Sequence, residues 1–362
     1  MPPSARSPFA VLAVVVPVLA GVASTAISCG DAKVYPYVHQ SGGKVTCPDT
    51  LVGYAAVPGA DVDGGAPQVT MGGGDLPPVI VNNATDLTTE LHRPEPRVIF
   101  LVGVLPLTDT IKVTVDKDNR NGNKTLIGVG ANSGLTGAGL DLGYADNVIV
   151  RNLKISKASV GEGDAITILA SHHIWIDHCD LSSNRNDTTA GYDGLVDITH
   201  GSAFVTVSWT VLHDHKDTSL VGHTADMTAQ AEDQNLSVTY HHNLFLNVNS
   251  GPRVRWGMAH VFSNHFQDVG AFGVVSESDA TVQVDHNVFD NFDVGSKPIA
   301  TTYQDPTTGY MTETGNNFPA GFTVDIAPPP TAFNLPYGYS SDAADSVSAI
   351  VSQCAGTGQI TF

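Results

Sequence analysis

Apolar residues along this chain recur in a short phrase. Val148-Ile149-Val150-Arg151-Asn152-Leu153-Lys154-Ile155 is apolar at its first and third places, polar at the fifth and apolar again at the eighth. A phrase of this form returns at Ile174–Leu181, Val205–Leu212, Val238–Phe245, Ala259–Phe266 and Val282–Phe289. Such alternation buries one face of a β-strand, and the polar place then turns the chain. Successive starts lie 26, 31, 33, 21 and 23 residues apart. A drifting repeat of that length predicts stacked coils with loops inserted in the longer ones. A propeller would show a period nearer ~40 and four strands per unit. The expected fold is all-β, a single-stranded right-handed parallel β-helix. Asn243, Asn264 and Asn287 hold the same place in three phrases, and asparagines stacked at turns hydrogen-bond along the stack.

Outside the phrases the chain changes character. Arg6 precedes an apolar run from Phe9 to Ala23, 15 residues broken by Pro17. That run is short of the ~20 residues a membrane-spanning helix needs, so residues 1–28 read as an export signal and no transmembrane span is expected. Ala26-Ile27-Ser28-Cys29 also resembles a bacterial lipoprotein cleavage site, which would place a lipid on Cys29. Residues 29–52 read as a linker, 53–300 as the β-helix and 301–362 as a C-terminal wrap over its coils. Val98–Val102 is the first clear strand. Helical pieces are expected only near Asp86–Leu91 and Ala343–Val351. Export permits a disulfide, and Cys47 with Cys354 would tie the two ends together. Cys179 reads as a buried thiol.

Charge narrows the partners. Lys and Arg number 17 against 36 Asp and Glu, a net −19, which argues against nucleic acid. A polyanion would also be repelled unless cations mediate the contact. Chemistry-bearing side chains gather between the phrases. Glu162, Asp164, Asp193 and Asp197 fall near one another if the coils stack, and a cluster of hard oxygen ligands suits Ca²⁺. Solvated acidic loops in an acidic protein are the other reading, and spacing alone leaves both open. Arg253 and Arg255 flank one apolar residue, so on a strand they point the same way. Lys216 stands between His215 and Asp217. The many histidines fall mostly at coil turns, where structural roles are the better reading. There is no G-x-S-x-G, P-loop or H-E-x-x-H pattern.

Trp175-Ile176-Asp177-His178, Asp193-Gly194-Leu195-Val196-Asp197, Val207-Ser208-Trp209, Leu220-Val221-Gly222-His223 and Thr239-Tyr240-His241-His242-Asn243 resemble the pectate lyases of the pectate/pectin lyase superfamily. The resemblance runs from Gly53 to Ala355-Gly356. It implies the same pectin lyase-like β-helix, and secreted, calcium-dependent β-elimination on polygalacturonate (pectate) by a monomer. It places calcium on Asp164, Asp193 and Asp197, with Glu162 where another aspartate is common. Arg255 then takes the second arginine of R-x-P-x-x-R and holds the substrate carboxylate. Two positions depart from the pattern: Ser250 stands where the first arginine belongs, and Asp217 where the lysine of H-x-K belongs. Arg253 is then the provisional base and Lys216, displaced by one, assists charge neutralisation. The alternative is a weakly active or inactive β-helix protein that binds galacturonan or acts at the cell surface.

Overall fold

The phrase starts lie on top of one another. In the computed structural model Val148, Ile174, Val205, Val238, Ala259 and Val282 pair in consecutive parallel register, and Met311 continues the row. All are essentially without solvent exposure. The phrase ends stack as well: Ile155, Leu181, Leu212, Phe245, Phe266 and Phe289 form a second internal row. Its three phenylalanines, with Phe318, stack nearly face to face at 4.6, 4.8 and 5.2 Å. One place between the rows adopts left-handed backbone in every coil: Asn152, His178, Trp209, His242, Ser263 and His286 all have φ between 48° and 57°. That conformation disfavours an L side chain. Here the turn is held by what surrounds it, including the stacked rings of His178, Trp209 and His242 at 5.9 and 4.2 Å.

The description covers residues 47–59, 68–74, 76–115, 117–187, 191–228 and 230–360. The expected signal and Cys29 lie outside it. Two parallel sheets run the length of the coil, one of ten strands and one of thirteen. The ten-stranded sheet proceeds from Val79–Val81 through the phrase strands to Tyr310–Thr314, so strand stacking continues beyond the last phrase. In the other sheet three long strands, Val211–Val221, Leu244–Arg255 and His265–Glu277, bend across a corner of the coil. Helices appear at Ala84–His92 and Ala344–Cys354, at the two places the sequence favours. The first is capped by Asn83, whose side chain accepts from the Asp86 N–H at 2.9 Å. The second carries Cys354, bonded to Cys47, and the disulfide packs on Trp209. Cys179 is a buried free thiol.

The asparagine ladder is present and one rung longer than the repeat suggests. Asn243 N–H donates to Asn264 Oδ1, Asn264 N–H to Asn287 Oδ1 and Asn287 N–H to Asn316 Oδ1, at 2.9, 2.9 and 2.8 Å. Among the described residues no helix is long and apolar enough to cross a membrane.

Candidate functional site

Strand register gathers the chemistry on one face. Ile166–Leu169 pairs with Val196–Thr199 so that Thr167 lies beside Asp197. Gly194 N–H donates to Asp164 Oδ1 at 2.8 Å, and Thr167 Oγ1 donates to Asp164 Oδ2 at 2.8 Å. Asp164 is buried, Asp197 half-buried and Asp193 exposed. In the next coil the Leu220 N–H donates to Asp197 Oδ1 at 3.0 Å. One coil further, Leu220 pairs with Arg253 and Asp217 with Ser250. With parallel strands ~4.8 Å apart, Asp197 and Arg253 stand two steps, roughly 10 Å, from one another along the face.

The acids repel. Burial, with the charges of Asp193 and Glu162 beside it, pushes the Asp164 carboxyl up to about 6, against the hydrogen bonds from Thr167 and Gly194. Burial, then Asp164, pushes Asp197 well above the usual carboxylate range. Among the described residues no basic side chain lies within ion-pair distance of Asp164, Asp193 or Asp197. Glu162 differs: it is exposed and already paired with Lys112 Nζ at 3.1 Å, which also meets Asp141. Asp164 and Asp197, drawn together under burial without a cationic partner, are the hard oxygen donors a divalent ion uses. Among the described residues no group of three or more His, Cys, Asp or Glu side chains is placed to hold a metal ion by itself. An ion here would need oxygens from outside the cluster.

Asp193, Asp197, Lys216, Asp217, Arg253 and Arg255 line one cleft of ≈ 380 Å³. Alternation fails along Val211–Val221, leaving Lys216 and Asp217 both exposed, so Lys216 reaches the cleft despite its displacement. Its Nζ has Asp217 at 3.7 Å. Ser250 is buried and its hydroxyl donates to Asp217 Oδ1 at 3.0 Å. A hydroxyl–carboxylate pair therefore occupies the two places where the resemblance expects cations. Arg253 is engaged at every nitrogen: Nε donates to Glu277 at 2.7 Å, Nη1 to Gln304 at 3.2 Å and Nη2 to Asp305 at 2.8 Å. Arg255 donates Nε and Nη2 to Asp305 at 2.7 and 3.2 Å.

Sequence reasoning missed four contributors. Glu277 and Asp305 grip the arginines, and Tyr303 walls the cleft against Phe272, ring centroids 4.6 Å apart. His215, singled out only as a neighbour of Lys216, is buried and its Nε2 meets the Asp193 carbonyl at 3.0 Å, fixing the turn that carries that acid. Only the stacking offset between coils would have found Glu277, which pairs in register with Arg255.

The pectate lyase family profile matches residues 41–360. The chain belongs to the pectate lyase family. Pectate lyase A of Aspergillus niger is 35% identical over 337 residues, covering 92% of this chain and 96% of that protein. The pectate trisaccharide-lyase of Bacillus licheniformis is 32% identical, covering 86% and 87%. Among solved structures, a pectate lyase from Bacillus sp. N165 in complex with trigalacturonate superposes with a TM-score of 0.75. It is 30% identical, covering 85% of this chain and 99% of that one. The right-handed parallel β-helix expected from the repeat is the fold of this family, whose members are polysaccharide lyases.

Proposed function

We propose that this chain is a secreted pectate lyase that cleaves polygalacturonate by calcium-assisted β-elimination. One observation carries the reading: an unpaired acid row and an arginine pair meet on one face, two coils apart, around one cleft. Asp164, Asp193 and Asp197 would hold the ion, with Glu162 joining only by exchanging Lys112. When bound, calcium supplies positive charge to the uronate carboxylate and answers the repulsion between an acidic groove and an acidic polymer.

The residues divide the remaining work. β-Elimination removes the C5 proton and breaks the C4–O bond, and the C5–H electron pair becomes the C4=C5 bond of a 4,5-unsaturated product. The proton leaves a carbon beside a carboxylate, so cations around that carboxylate lower the barrier. Arg255 holds it. Arg253, the base expected from sequence, would have to give up a proton that its contacts to Glu277, Gln304 and Asp305 hold in place before it could accept another. Its contacts support a fixed positive charge instead. Lys216 has one carboxylate at 3.7 Å and no other ion pair among the described residues, so its neutral amine is the better placed to take the proton.

The test is absorbance of unsaturated uronate at alkaline pH on polygalacturonate, with calcium or with chelator. Calcium-dependent product is expected, and its absence rejects the reading. Lys216→Ala is expected to lose roughly 10²–10⁴ of rate, against a smaller loss for Arg253→Lys. The Ser250–Asp217 pair favours one rival, a galacturonan-binding protein without turnover. It predicts calcium-dependent retention on a pectate gel with no product, and a large gain of product in Ser250→Arg.

A further inference from the structure

Glu277 is a fully buried carboxylate beneath the cleft. Its Oε1 accepts three consecutive backbone N–H groups, from Tyr303, Gln304 and Asp305 at 2.7, 2.5 and 2.9 Å. Its Oε2 accepts Arg253 Nε at 2.7 Å. One side chain thus ties a turn of the C-terminal segment to an arginine of the cleft. Asp305, delivered by that turn, has its side chain 6% exposed. It receives Arg253 Nη2, Arg255 Nε and Nη2, and the Ser278 hydroxyl at 2.8 Å. A carboxylate fixed by four donors is a rigid support behind the arginines, and Tyr303 and Gln304 of the same turn line the cleft.

The consequence lies in which edge of Arg255 stays open. Asp305 takes the Nε and Nη2 edge, while Nη1 has only the Gly222 carbonyl at 3.5 Å. A guanidinium is a planar fork, so fixing one edge aims the other. We propose that Glu277 and Asp305 are positioning residues: Glu277 sets the 303–305 turn, and Asp305 from that turn aims the Nη1 side of Arg255, held only by the long contact to Gly222 among the described residues, into the cleft toward a uronate carboxylate. Tyr303 is carried into place by the same turn, with the Arg253 guanidinium 5.4 Å over its ring. The inference rests on the galacturonan reading above for the ligand, and on the network itself for the residues.

The experiment is a double-mutant cycle on affinity for trigalacturonate, read by calorimetry so that turnover is not required. Asp305→Asn is expected to weaken binding roughly tenfold, the scale of a charge-assisted hydrogen bond. Placed in an Arg255→Ala background, the same change is expected to have almost no further effect, because Asp305 acts through Arg255. Glu277→Gln keeps an acceptor for the backbone turn but turns a donor toward Arg253. It is expected to weaken binding and to lower the thermal midpoint, because a buried ion pair is broken; Asp305→Asn serves if that variant fails to fold. Additive losses in the cycle, or unchanged affinity in Asp305→Asn, overturn the positioning role alone. Failure of the wild-type protein to bind trigalacturonate overturns the galacturonan reading and this inference with it.

Discussion

Asp164 shows how a single side chain records what its site wants. It is buried beside other acids, and its carboxyl is pushed up to about 6 by burial and by Asp193 and Glu162. A carboxyl with a raised folded pKa binds more protons in the native than in the unfolded chain between pH ~4 and ~6. Stability of the calcium-free protein therefore falls as pH rises through that window and levels off above it. Asp164→Asn removes its share of the slope, leaving that of Asp197, without changing the side chain's shape. In chelator at pH 8 it is expected to raise stability by roughly 1–3 kcal/mol, while shrinking the rise in melting temperature that calcium gives. A calcium response equal to wild type would remove Asp164 from the proposed ion site. The acids were singled out in the sequence by their places one coil apart, and the arginines by the one apolar residue between them and by the resemblance. Glu277 and Asp305 were not: they lie 24 and 50 residues from the arginines they hold. A register shift between Val248 and Ser250 also changes the coil offset just ahead of them.

The coil as an element is held by rows running across the chain direction. Asn264 is the second of the four rungs of the asparagine ladder, fully buried. It accepts the Asn243 N–H and donates Nδ2 to the Tyr240 and Phe262 carbonyls and to Asn287 Oδ1. Asn264→Ala strands those groups without water to replace it, and is expected to cost roughly 2–5 kcal/mol by urea unfolding. Asn316, half-buried at the end of the ladder, is expected to cost less when changed to Ala. Equal costs would mean that the ladder does not act as a column. The left-handed turns belong to the same level. Histidine, tryptophan and serine all take a conformation that glycine usually supplies, and the sequence reading of that place as simply polar was incomplete because Trp209 occupies it too.

At the scale of the whole molecule, two devices join distant parts. The Cys47–Cys354 disulfide spans 307 residues and brings the start of the described chain onto the C-terminal helix. Bridges that close long loops restrict the unfolded chain most, so Cys354→Ser or reduction is expected to lower stability by roughly 2–5 kcal/mol, seen as an earlier thermal midpoint. An unchanged midpoint would show that packing on Trp209 suffices. The second device is the turn at 303–305, which makes the segment after the last repeated phrase a part of the cleft. The net charge of −19 sets the outer condition, since an acidic polymer must meet this acidic body through cations.

The repeat by itself determined the fold, because each phrase adds to two buried rows, at its start and its end, and a row has only one stable partner, its copy in the next coil. The sequence also singled out the acids and arginines, which lie between phrases on turns and on the strands Val196–Thr199 and Leu244–Arg255. Tertiary structure alone decided which of these groups are spoken for. Glu162 is paired with Lys112, Arg253 and Arg255 with Glu277 and Asp305, and Ser250 with Asp217. Pairing depends on register across coils, and register is a property of stacked strands that no single strand's sequence carries.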